Sequence, residues 1–152
     1  QHLAMVKHFV QHQSGNKVAL FLEDDFSFTS RVALHQRQLA DFARNQYVFH
    51  VCFLAVSMWG GSEPLDDLLD VCLQPVTTAS GYLLHPDTAD EVAAVMERGL
   101  QQLRVTGDHR QFAVDRYWTT QLAGRLFMFR HKLGFQFPNY SDHCKSVTCN
   151  WD

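Results

Sequence analysis

The spacing of apolar positions changes several times along the chain, and each change marks an element. Over residues 3–11 the apolar residues Leu3, Val6 and Val10 recur at helical spacing, and the run QSGN that follows supplies a stop and a turn. Residues 17–22 form a short continuous apolar run, the pattern of a strand covered on both faces. Ser30 is a candidate cap for a helix running to Arg44. Residues 47–57, YVFHVCFLAVS, are rich in aromatic and β-branched side chains and predict a second central strand. The next stretch, MWGGSEPLDD, holds two glycines and a proline and reads as a surface loop of the kind that carries binding groups.

A further strand is predicted over residues 69–73, followed by the segment PVTTASGYLLHP. Thr88 and Glu91 have the spacing of a capping box, with Val92, Ala93, Val95, Met96 and Leu100 as the apolar face of the helix behind it. Residues 112–115 read as a short edge segment, residues 116–124 as a helical turn or two ending at Gly124, and residues 126–129 as another strand. Strands alternating with helices predict a layered α/β fold with a mostly parallel central sheet flanked by helices. No repeat or linker divides residues 1–152, so a single domain is expected.

Composition narrows the classes without naming one. The chain is 46% hydrophobic and 19% charged with a formal net charge of −3, so bulk charge draws it neither to nucleic acid nor to an anionic membrane. No apolar run approaches the ~20 residues that cross a bilayer, and the start lacks a charged-then-apolar signal pattern. Compartment stays open between cytoplasm and secretory-pathway lumen. Gln1 leads almost at once into a helical pattern, which predicts a processed chain or a piece of a longer one. Cys52 and Cys72 lie in apolar surroundings and read as buried thiols. The spacing of Cys144 and Cys149 permits a short closed loop, and His143 beside Cys144 permits a zinc site that lacks a CxxC half.

The chemistry is concentrated in LFLEDDFSF, where an apolar run ends in Glu23, Asp24 and Asp25. In open α/β sheets ligands bind beyond the carboxyl ends of strands. On an extended backbone Glu23 and Asp25 would share a face about 7 Å apart, with Asp24 opposite. Crowded carboxylates repel unless a cation or donors offset them, and a hard divalent ion is a natural partner. Manganese or magnesium held by one or two carboxylates completes its shell with water and phosphate oxygens, which points to a nucleoside diphosphate as co-ligand. A solvated turn, or the acidic bias before a helix, is the plain alternative.

The order of LFLEDDFSF, YVFHVCFLAVS, TTASGYLLHPDTADEV, FAVDRYW and FQFPNYSDH resembles glycosyltransferase family 25, which contains procollagen and lipooligosaccharide galactosyltransferases. The resemblance spans nearly the whole chain, and FLEDD and SGYLLHPDTADEV are its most specific parts. It implies a GT-A type, three-layer fold and metal-assisted, inverting transfer of a hexose, galactose first, from a UDP-sugar to a hydroxyl of a glycan or protein acceptor. Mn²⁺ or Mg²⁺ would be the cofactor. By the resemblance Asp25 is the principal metal ligand, Glu23 and Asp24 order the ribose, a metal-bound water or a second ligand position, and Asp115 is the acceptor-side base. Asp142 and His143 stand where a C-terminal ligand returns to the metal or diphosphate, although His143 replaces the family's usual aliphatic residue. The family also has a strand and helix ahead of the point where this chain begins, and His2 with Leu3 matches the end of its SH element.

Several of these residues carry a plainer reading as well. Asp115 also fits a helix N-cap. Ser80 and Gly81 either admit a sugar against the backbone or form a strand-entry turn, and Tyr82 fits the core. Trp59 either stacks on a sugar or covers the core. Three functions are therefore expected to compete. They are a metal-dependent glycosyltransferase, a non-catalytic glycan- or partner-binding module on the same fold, and a metal-dependent phosphoester hydrolase, for which the required further acids and histidines are not convincingly spaced.

Overall fold

The computed structural model describes residues 1–13, 15, 17–58, 61–77, 80–141 and 146–150. Helix α1 (His2–His12) leads to β1 (Ala19–Leu22), a tight turn, β2 (Phe26–Phe28) and α2 (Val32–Asn45). Strands β3 (Val51–Phe53), β4 (Ser57–Met58), β5 (Ser62–Pro64), β6 (Leu69–Cys72), β7 (Val76–Thr77) and β8 (Gly81–Leu84) follow. A 3-10 turn at Pro86–Thr88 opens α3 (Ala89–Thr106), then come α4 (His109–Phe112), α5 (Val114–Gln121), β9 (Leu126–Phe129), β10 (Gly134–Ser141) and β11 (Ser146–Asn150). No described helix is long and apolar enough to cross a membrane.

The main sheet has the order β1-β8-β3-β9-β6-β5. β3 pairs parallel with β9, whereas β1·β8, β3·β8, β6·β9 and β5·β6 are antiparallel. The mostly parallel sheet expected from the sequence is therefore replaced by a mixed, mainly antiparallel one. Short connections are one cause: β5 and β6 are joined through residues 65–68, too few for the crossover that parallel neighbours need. Apolar runs report burial on both faces, and that property is the same in a mixed sheet.

Burial on both faces is present at the centre. Val51 and Phe53 of β3, Tyr82 and Leu84 of β8 and Leu126 of β9 pack with Val6, Val92, Met96 and Trp118, from helices α1, α3 and α5. The alternate residues Cys52, Leu83 and Phe129 pack on the other face with Phe42 of α2. Period-2 alternation thus divides each central strand between two apolar clusters, giving helices on both sides of the sheet. β1 differs from its expectation. It is an edge strand that buries Phe21 while Leu20 and Leu22 stay exposed, so the run at 17–22 is covered on one face.

Local details depart from the predicted caps. The N-cap of α2 is Arg31 in place of Ser30. The Thr88 hydroxyl donates to the carbonyls of Phe49 at 3.0 Å and His85 at 3.3 Å, and Glu91 pairs with His50 at 2.8 Å and Arg125 at 2.5 Å, so the two do not form a capping box. The stretch at 112–115 is the end of α4 and the start of α5, and the proline-containing loop supplies β5. Cys52 and Cys72 are buried free thiols; burial pushes both up, Cys72 to about 12. Trp59, Asp142, His143 and Cys144 lie outside the described residues, as does the side chain of Cys149.

Candidate functional site

The direction of the strands sets where the acids emerge. β1, β3 and β9 run the same way, so Glu23 leaves the carboxyl end of β1 at the edge where β8 begins, and Leu22 pairs with Gly81. The Glu23 N–H donates to the Ser80 carbonyl at 2.7 Å, extending the ladder by one bond past the strand. The chain then reverses: the Phe26 N–H donates to the Glu23 carbonyl at 3.1 Å, closing a β-turn over Asp24 and Asp25. The acids therefore sit on a tight turn, not on the extended backbone that would place Glu23 and Asp25 on one face. Turn geometry sends the three side chains to different surroundings.

Asp24 is exposed. Glu23 accepts from His2 Nε2 at 2.8 Å through Oε1, and its side chain keeps 30% of its exposure. Asp25 is held from β10: Gln136 Nε2 donates to Oδ2 at 3.0 Å, and the Phe137 N–H donates to the Asp25 carbonyl at 2.7 Å. Its Oδ1 is buried and has no hydrogen-bond partner among the described residues. Ser80 is fully buried and its hydroxyl is likewise unpartnered there. Buried polar atoms in folded proteins nearly always have a partner, so two such atoms flanking one turn are chemically informative.

Glycine at position 81 serves packing. A Cβ there would meet the Phe26 ring at 2.5 Å, and the same ring lies against Gly134. The Phe26 ring fills the space on the Cβ side of Gly81, so packing by itself accounts for a glycine there. Asp115 sits in the first turn of α5, behind an N-cap at Ala113, so it is not the N-cap itself. Its carbonyl accepts from Thr119 at 3.1 Å, and no described hydrogen bond or ion pair joins it to the acid turn. The structure thus brings Glu23, Asp24, Asp25, Ser80 and Gly81 together and leaves Asp115 on a separate helix.

His2, Tyr82 and Gln136 belong to the site and were not assigned to it from the sequence. Their partners are 21, 80 and 111 residues away, separations that no local motif encodes.

One buried, unpartnered carboxylate oxygen suits a hard divalent ion that takes the remainder of its shell from water and phosphate. Among the described residues no group of three His, Cys, Asp or Glu side chains is arranged to hold a metal, so such an ion would rest mainly on Asp25. No protein-family model and no curated protein matches the chain.

Proposed function

We propose that this chain is a glycosyltransferase domain of GT-A type that binds a UDP-sugar through Mn²⁺ or Mg²⁺ at Asp25. In this reading it transfers a hexose, galactose first, to a hydroxyl of a glycan or protein acceptor. The observation that carries the reading is the buried Oδ1 of Asp25, which has no hydrogen-bond partner among the described residues, on a turn at the carboxyl end of β1. The sequence resemblance places its acidic motif at the same turn. Asp25 would hold the ion, and the ion would stabilise charge growing on the nucleoside diphosphate as it leaves. Glu23 and Asp24 are the groups available to the ribose or to metal-bound water. Asp115 is retained as the acceptor-side base, a role that needs hydrogen-bond reach to the acceptor hydroxyl in the ternary complex.

Calorimetric titration with UDP, with and without Mn²⁺, tests the reading on the whole chain and on Asp25→Asn. Binding that requires Mn²⁺ and disappears in the variant is the expected result. Binding that ignores both the metal and the substitution would overturn it. Metal-dependent binding without nucleotide release from any UDP-sugar would transfer the assignment to a non-catalytic binding module.

A further inference from the structure

His2 lies between a buried phenol and a half-buried acid. Its Nε2 is 2.8 Å from Glu23 Oε1 and its Nδ1 is 3.2 Å from the Tyr82 hydroxyl. Chemistry sets the direction of this chain. A carboxylate only accepts, so Nε2 carries a proton, and in the neutral ring the other nitrogen is left to accept from the Tyr82 O–H. Tyr82 keeps that proton, because burial, with the Glu23 charge nearby, pushes its phenol well up. The phenol is also closely packed. Its ring is fully buried, stacked on Phe21 at 5.1 Å and edge-on to Trp118 at 5.2 Å.

We infer that His2 is a positioning residue, which transmits the order of the Tyr82 core to Glu23 and leaves Glu23 Oε2 to accept from the vicinal hydroxyls of a nucleotide ribose. The inference rests on the proposed nucleotide-sugar reading. It makes α1 part of the ligand site, although α1 carries none of the acids. Oε1 is committed to an N–H donor, and hydroxyl donors are the complement of the oxygen that remains. A ribose offers two adjacent ones.

Two measurements on the full chain test this. Nitrogen-15 spectra of labelled histidine should show His2 as the Nε2–H tautomer with a hydrogen-bonded Nδ1, and Tyr82→Phe should remove the Nδ1 bond while the fold persists. In Mn²⁺ titrations His2→Ala should weaken UDP by roughly tenfold and abolish the preference for UDP over its 2′-deoxy analogue, while His2→Gln, which keeps a donor near Nε2, restores that preference. An Nδ1–H tautomer, or an unchanged UDP to 2′-deoxy-UDP ratio in His2→Ala, would overturn the inference. Should UDP fail to bind at all, the functional reading falls, and the tautomer still decides whether the relay exists.

Discussion

Gln136 Nε2 donates to Asp25 Oδ2 at 3.0 Å, so a strand near the end of the chain holds the carboxylate delivered by the first strand. The two residues are 111 positions apart, and the bond leaves Oδ1 without a partner among the described residues. Removing Gln136 frees the carboxylate to rotate but leaves the charge in place. Gln136→Ala should therefore weaken Mn²⁺-dependent UDP binding by about tenfold, the effect typical of an outer partner to a ligating group, whereas Asp25→Asn should eliminate it. Equal losses in the two variants, read by calorimetry, would contradict this division of roles.

Phe26 occupies the slot between Gly81 and Gly134, and that contact makes a second prediction. A methyl group at position 81 would stand 2.5 Å from the ring, and the same ring also lies against Gly134. Overpacking of this kind costs about 1–3 kcal/mol. Gly81→Ala should lose stability in that range by urea unfolding, and pairing it with Phe26→Leu should recover part of the loss through coupling between neighbours. Wild-type stability in Gly81→Ala would show that the ring has room to move.

What the sequence reveals follows from the range of the interaction that decides each feature. The helices at 2–12 and 89–106 and the strands at 69–72 and 126–129 were legible because one side-chain period sets their burial, as the buried series Val92, Ala93, Val95 and Met96 illustrates. Strand direction was not legible, since Val51–Phe53 buries both faces whether its neighbour is parallel Leu126–Phe129 or antiparallel Gly81–Leu84. The acid turn was visible as a motif, but its conformation depends on Ser80, His2 and Gln136, each contributed by a different element. The edge segment expected at Asp115 is the first turn of a helix, because a short helix after Ala113 and an edge segment share the same composition.

The turn before β6 makes stability depend on acid. Burial alone would raise the Asp66 carboxyl, but the Tyr47 hydroxyl, the Leu69 and Leu68 N–H groups and Arg130 outweigh it and hold the group below the usual carboxylate range. A depressed folded value means that the stabilisation is present above the ordinary Asp value, about 3.9, and is lost as pH falls through the lower folded one. Tyr47 behaves oppositely: burial first, then the bond to Asp66, raises its phenol, so its contribution is complete below about pH 10 and fades as pH rises through the folded value. The stability difference between wild type and Asp66→Asn should be level from about pH 5 to 9 and shrink below pH 4. A difference that stays constant down to pH 2 would show that the turn draws nothing from the ionised acid.

Thr88 stands at the N-cap of α3 without capping it through its side chain, and its hydroxyl instead ties the helix start to the loop before β3 through the Phe49 carbonyl. Thr88→Val keeps the shape and removes that bond, which should cost about 1 kcal/mol, the usual net worth of one intramolecular hydrogen bond. A reciprocal capping box would require Glu91→Ala to be felt at the same helix end, since a glutamine there would still accept from the cap N–H. Here Glu91 faces His50 and Arg125 on the exposed surface, so its substitution should alter stability in low salt and have little effect once salt screens the pairs. Amide exchange of the first turn of α3 reports the difference. Protection should fall in Thr88→Val and persist in Glu91→Ala at high salt, and a loss in both would restore the box.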